Sequence, residues 1–467
     1  MNAEWKTDRV FLAVAATSLL LKVALAILAR LDAPVLDEAA YLSAAEQLVR
    51  GDGFPGTFRP PGYPAFLASV LLTGSGTLGV HLVQVALSMV SVWSVYRLGH
   101  RFGGQAAGRV AATIVAFDPV LIAFTHRLWS ETLFIAILLV VIDLLTAERT
   151  SLTRLLSAGL LFGLGALVRP MILTFIPFLA IWFVASEWPT SPRLNGVARG
   201  LVRTVAFGAA ALFLIAPWTA RNVRVTGTFV LIDSNGPFNL LVGAEPGSRL
   251  VDKDDLWSER FGAVDGEAYT KLELSDTRRA QTRAVATAWA YISGDPTGFL
   301  AKSVWEAAHL WTLDSFLLRH LRNGWYRISV PSWAIAAVTI VSVAFSAMLC
   351  LTGVAGLVLS SGTVLARLGL LLLIHSTLLF GATYALSRYA VPLRPVLALG
   401  AASLLTIALR DGWRVAARWQ RATVLAAWVF LTVSWIRDVP LLSDMVSHRG
   451  ASHRFTYMRD AGSGGAP

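Results

Sequence analysis

The sequence predicts an all-α polytopic membrane protein with about 11 transmembrane helices and amphipathic helices on its outer face. Three observations predict it. Mean hydropathy is +0.61, with 55% hydrophobic and only 15% charged residues, which does not suit a soluble chain of 467 residues. Apolar runs of about 20 residues, enough to cross a hydrocarbon core of about 30 Å, recur along the chain. Arginines sit at the ends of those runs, singly or in small groups.

The first run, near 9–29, follows Lys6 and Arg9. It exceeds the apolar stretch of a signal peptide, about 7–15 residues, and Leu28-Ala29-Arg30 offers no small-residue cleavage site, so it reads as an uncleaved anchor. In the next segment Leu36, Ala39, Ala40, Ala44, Leu48 and Val49 give an apolar face at helical spacing. That predicts an amphipathic helix on the membrane surface with Asp37 and Glu38 at its N-terminal end. Arg59-Pro-Pro-Gly-Tyr63-Pro64 then makes a rigid turn. Residues 64–73 are apolar but short, as in an interfacial or re-entrant helix. Further spans are expected near 78–98, 106–123, 129–147, 153–168, 170–186, 200–217, 332–358, 366–386, 389–409 and 422–437.

The positive charges set the orientation. Lys6, Arg9, Arg97, Arg101, Arg109, Arg149, Arg154, Arg193, Arg199, Arg203, Arg367, Arg410, Arg414, Arg418 and Arg421 fall on one side, expected to be the cytoplasm. The loops holding Asp37, His126–Glu131, Arg169 and Arg388 then face outward. The chain divides into an N-terminal membrane module, 1–217, with its external loop at 30–77; an external segment, 218–330; C-terminal helices, 331–438; and a short external tail, 439–467, ending in a Gly/Ser/Ala tract at 461–467. The external segment mixes acids and bases at 252–260 and shows helical periodicity near 277–292 and 297–313, with Asp295-Pro296 as a start signal. A few helices capping the bundle are expected there.

Composition also excludes classes. The single cysteine, Cys350, allows no intramolecular disulfide. The net charge of +11 forms no basic stripe, which argues against nucleic acid and for anionic membrane lipids. No zinc spacing or nucleotide fingerprint occurs, and Gly-rich pieces lie inside spans, where small residues serve helix packing.

The polar residues outside the spans are few. Asp37 is either a helix cap or a carboxylate aimed into an outward cavity, as base or metal ligand. Beside His126, Arg127 and Glu131 are four apart and share a face on a helix; they are either a structural ion pair at a span end, or Glu131 orients Arg127 toward a phosphate or helps hold a metal. Asp118-Pro119 reads as a helix-end device. Arg169 is either a snorkelling residue or a functional one. Arg388, beside Tyr389, offers a fork that matches phosphate oxygens. Arg394 and Lys22 sit within apolar runs, so Arg394 is expected to line a polar cavity.

Four stretches resemble the bacterial GT-C glycosyltransferases: 36–64, 117–134, Pro217-Trp-Thr-Ala-Arg-Asn222 with Gly236-Pro-Phe-Asn-Leu-Leu-Val-Gly243, and Ser387-Arg-Tyr-Ala-Val-Pro392. That superfamily includes protein O-mannosyltransferases, lipid A aminoarabinose transferases and lipopolysaccharide-core galacturonosyltransferases. The resemblance implies a GT-C helical bundle in the bacterial inner membrane with its active site on the outer side. It implies a polyprenyl-phosphate sugar donor and an envelope lipid, glycan or protein as acceptor. Asp37 matches the catalytic acid, Glu38 its partner acid and Glu131 an acid of the next outer loop. Arg59, His126, Arg127, Arg169 and Arg388 are the candidates for the donor phosphate, with Tyr63 and Tyr389 in support. No cofactor is required by this reading. It leaves open a divalent cation at Asp37 and Glu131. The long C-terminal soluble domain of some members is missing from this sequence. Transfer from a phosphate leaving group needs one base and cations for the phosphate, and one carboxylate suffices for inversion. The competing reading is a transporter or flippase of envelope precursors.

Overall fold

The computed structural model describes residues 8–29, 32–35, 37–147, 151–187, 193–246, 261–262, 264–326, 330–410 and 416–447. Leu36, Lys6, Arg149, Arg414, the 252–260 run and the 461–467 tract lie outside the described residues. The described elements are helices, with no strand among them. Eight are long and apolar enough to cross a membrane. The larger number expected from sequence differs for two reasons. The helical run Gly76–Phe117 counts once although it breaks at Gly104, and Glu131–Leu145 and Leu152–Val168 have only 15 and 17 residues.

The break is a reversal. Gly104 has φ +79°, a conformation that glycine adopts without a Cβ penalty. Gly99 and Gly108 approach so closely that a Cβ on either would meet the other's backbone or its neighbour's. Residues 76–103 and 105–117 therefore run back along each other, giving the two separate segments expected. Helix Arg9–Ala29 packs on this pair, as does Arg394–Arg410, which also packs on Ser332–Leu359. Leu152–Val168 lies between Glu131–Leu145 and Arg193–Thr226.

Asp118 and Arg394 pair between helices. Asp118 caps the short helix Pro119–Ala123, accepting from the Val120 and Leu121 N–H groups, and its other oxygen meets Arg394 at 2.5 Å. Arg394 also donates to Ser346 at 3.2 Å. It therefore closes an ion pair between helices, where a polar cavity was expected. Lys22, almost fully buried, lies within electrostatic reach of Asp118.

The surface helix exists, as Asp37–Arg50, but its inner face differs from expectation. Glu38, Tyr41, Ala44 and Ala45 are buried, whereas Ala39 and Val49 are exposed. The helix rests on Gly62–Leu71, so a buried ion pair and an aromatic contact set its rotation. Within 218–330 the chain completes helix Arg193–Thr226 and then folds as Asn235–Ala244, Gly266–Ser275, Thr277–Gly294, Pro296–Leu310 and Phe316–Arg322. The first three of these five helices share a small core of Phe238, Val242, Tyr269, Ala280, Ala284 and Ala288, to which the membrane bundle adds Tyr384 and Leu386.

Candidate active site

Three separate segments converge on Asp37. It opens its helix, so its carboxylate stands at the end of that helix. Arg59, on the Pro-rich turn, meets Oδ1 at 2.9 Å, and Arg388, on the turn Ser387–Leu393, meets Oδ2 at 2.9 Å. The side chains keep some exposure: 25% for Asp37, 32% for Arg59 and 14% for Arg388. Burial by itself would raise the Asp37 pKa. Arg388 and Arg59 outweigh it and hold the carboxyl below its ordinary range. Aromatic faces fix both arginines: Arg388 lies 4.5 Å from the Trp129 ring centre and Arg59 5.4 Å from that of Tyr41, one turn after Asp37.

Glu131 and Arg169 form a second pair beside the first, at 2.5 Å. The Tyr389 ring separates the two sets, with Arg388 at 5.4 Å and Arg169 at 5.7 Å. Glu131 Oε2, Arg169 Nε and Arg388 Nε are buried without a hydrogen-bond partner. Such atoms are costly to leave unmet. Across both sets three guanidinium groups face two carboxylates, which leaves one positive charge in excess.

Glu38 and Arg127 stand apart from this. Glu38 is 1% exposed and takes both Arg127 Nε, at 2.9 Å, and Arg127 Nη2, together with the N–H groups of Val35 and Leu128. Burial raises its pKa against the pull of Arg127. Arg127 also reaches Asp32 at 3.3 Å. The pairing of Arg127 with Glu131 on one helical face does not form, because residues 124–130 are turns and bends and the helix starts only at Glu131. His126 lies on the far side of this pair, against Tyr326. Burial, His81 and Arg127 push its pKa down to about 3, so it is neutral. The structure thus brings Asp37, Arg59 and Arg388 together, with Glu131, Arg169 and Tyr389 adjoining. It does not bring Glu38, Arg127 or His126 into that group. Tyr63 is fully buried and donates to Gln84 at 2.8 Å, its ring against Tyr41.

Other residues hold the loops that carry the arginines: Trp218, Arg221, Asn222, Asn239 and Gly243 fall in the stretches that the sequence singled out, whereas Lys302, Glu306 and Tyr384 gave no sequence signal. Arg221 donates to the Phe54 and Gly56 carbonyls, at 2.6 and 2.7 Å, and so grips the loop before Arg59. Asn222 and Trp218 bind the Ile232 carbonyl at 2.9 and 2.8 Å. This gives a physical role to the Pro-Trp-Thr-Ala-Arg-Asn stretch. Tyr389 donates to Tyr384 Oη, and Tyr384 donates to Asn239 Oδ1 at 3.1 Å. Gly243, on the helix of Asn239, lies so close to the Thr383 backbone that a Cβ would fall 2.3 Å from its carbonyl oxygen. Lys302 donates to the Ala382 and Thr383 carbonyls, and Glu306 accepts from the Ala385 N–H at 2.8 Å. The turn leading to Arg388 is therefore gripped from two sides.

Each Asp37 oxygen faces a guanidinium group, as does Glu131 Oε1, and among the described residues no three metal-ligating side chains converge. Behind the Glu38–Arg127 pair lies an apolar cavity of about 370 Å³, lined by Leu21, Leu25, Phe117 and Leu317, with His126 and Tyr326 also on its wall.

Comparison with known proteins adds a family. Residues 59–220 match the family described as dolichyl-phosphate-mannose-protein mannosyltransferase. The match spans Arg59, Glu131 and Arg169 and stops short of Asp37 and Arg388. This part of the chain is thus similar to a glycosyltransferase family, in line with the GT-C resemblance. No curated protein matches the chain. Among solved structures, the Archaeoglobus fulgidus oligosaccharyltransferase tethered to an acceptor peptide aligns with TM-score 0.48 and 16% identity, covering 95% of this chain and 56% of that one. The same enzyme in its apo form gives 0.46 and 15%, covering 92% and 56%. ArnT from Cupriavidus metallidurans bound to undecaprenyl phosphate gives 0.36 and 15%, covering 86% and 78%. The chain spans just over half the length of the archaeal enzyme.

Proposed function

We propose that this chain is a membrane glycosyltransferase that moves a sugar from a polyprenyl-phosphate donor to an envelope lipid, glycan or protein, with inversion at the anomeric carbon. The observation that carries the reading is Asp37 held between Arg59 and Arg388, in a group with one excess positive charge. A polyprenyl-phosphate sugar is a phosphodiester with a single negative charge, which that excess would neutralise. The family match, named for a lipid-phosphate sugar donor, supports the same class.

The donor phosphate would draw Arg59 and Arg388 away from Asp37. The carboxylate, no longer held down by two cations, would regain basicity at the moment a donor is bound. Asp37 would then take the acceptor hydroxyl proton as the acceptor oxygen bonds to the anomeric carbon. The bond from that carbon to the phosphate oxygen breaks with its electron pair on the phosphate, and the arginines hold the doubly charged leaving group. The apolar cavity near Phe117 and Leu317 has a lining suited to an isoprenoid chain. No step passes through a metal ion.

The test is to reconstitute the protein and add labelled polyprenyl-phosphate sugars in envelope membranes. Wild type should transfer label to an envelope acceptor, and Arg388→Ala should lose donor binding. Movement of intact donor across the bilayer, with no covalent transfer, would establish the transporter reading instead.

A further inference from the structure

Helix Pro296–Leu310 is turned inside out. Its buried positions are Lys302, Glu306, His309 and Leu310, whereas Leu300 and Val304 are 66% and 58% exposed and Trp305 is also exposed. A helix with polar residues inward and apolar residues outward faces hydrocarbon. It also packs on Val364–Ala382, one of the membrane-spanning candidates. The preceding helix, Thr277–Gly294, joins it through the Asp295 cap, so it lies at the level where that apolar surface begins.

Thr277–Gly294 has three distinct sides. Ala280, Ala284 and Ala288 dock it on the protein. Val285 and Trp289, one turn apart, form an exposed apolar flank, with Trp289 at 68%. Arg279 and Arg283, also one turn apart, form the other flank, whereas Arg278 lies at the start of the apolar flank, two turns before Val285, and all three are exposed. The helix contains no acid, and none of the three arginines makes an ion pair among the described residues.

We infer that helix Thr277–Gly294 is a lipid-headgroup docking surface, taking the phosphates of an anionic leaflet on Arg279, Arg283 and Arg278 while Val285 and Trp289 enter the acyl boundary. The charge is complementary, and an aromatic flank beside a basic flank is what an interfacial helix requires. The surface bears on the candidate site, because this helix packs on Asn235–Ala244, whose Asn239 accepts the Tyr384 hydroxyl.

The test needs no transfer assay. The full chain goes into nanodiscs of phosphatidylcholine with or without phosphatidylglycerol. Native mass spectrometry counts retained phosphatidylglycerol, and hydrogen exchange follows residues 277–294. Wild type should retain phosphatidylglycerol, with slower exchange in this helix. Retention should weaken by about 5-fold for each arginine removed in Arg279→Gln and Arg283→Gln. The double lysine variant should keep the effect, since headgroup attraction needs charge and not a fork. Equal retention by wild type and the double glutamine variant would overturn the inference. So would protection of this helix by a soluble phosphorylated glycan but not by phosphatidylglycerol, which would make it an acceptor surface.

Discussion

Replacing Asp37 by Asn separates the two jobs that the geometry gives this residue. The change keeps shape and removes basicity, so turnover of bound donor should fall by roughly 100-fold or more. Donor binding should move the other way. Arg59 and Arg388 are partly exposed, so each pair with Asp37 is worth only about 0.2–1 kcal/mol. Freeing both arginines removes about 1 kcal/mol of competition, and the donor should bind about 3- to 5-fold tighter. The assay is equilibrium binding of labelled polyprenyl-phosphate sugar beside single-turnover transfer in envelope membranes. Near-normal turnover by the folded variant would refute the base. Weaker donor binding with unchanged turnover of bound donor would show that Asp37 only positions the arginines. Product with retained anomeric configuration would refute the single displacement even if Asp37 proved essential.

Glu38→Gln should act on stability more than on turnover, because it strips the buried Arg127 of its fork partner; loss of one partner of a buried pair costs about 3–5 kcal/mol. A lower Tm in detergent, with turnover per folded molecule retained, is expected. Asp118→Asn should cost a similar amount by leaving Arg394 unpaired between helices, and Arg394→Met in the same chain should recover most of the lost Tm. Asp233 supplies a pH test, since burial pushes its pKa up to about 7. The unfolded chain ionises it at about 3.9. Between those values the folded state holds the extra proton, so this group makes stability fall as pH rises and then level off above about 7. Asp233→Asn should flatten that slope between pH 4 and 7 on a Tm-versus-pH plot, and an unchanged slope would exclude the group.

The helical membrane class was legible because bilayer thickness imposes a length on every apolar run, and that length is visible without coordinates. The reversal near residues 99–108 was legible too, through two apolar runs split by Arg101 and glycines. Rotation about a helix axis was not. The 37–50 segment has several small apolar residues on more than one side, so the face that turns inward is decided by Glu38 finding Arg127 some 89 positions away. The same holds at the site. Asp37 and Arg59 share one loop and could be linked by spacing, but their third partner, Arg388, arrives from a turn more than 300 residues later. Arg127 and Glu131 looked paired because four residues make a helical turn, yet the backbone between them is not helical.

That mispairing bears on mechanism. Had Glu131 held Arg127, Arg169 would lack its short contact and Glu38 would stand unpaired beside Asp37, two like charges at one helix end. The observed exchange puts each of these acids on an arginine: Glu38 on the buried Arg127, Glu131 on Arg169. Asp37 alone is left with two cations and partial exposure. The acid with the surplus of positive charge is the one from which an incoming phosphate can take partners. This is why the chemistry is assigned to Asp37 and a fixed role to its neighbour.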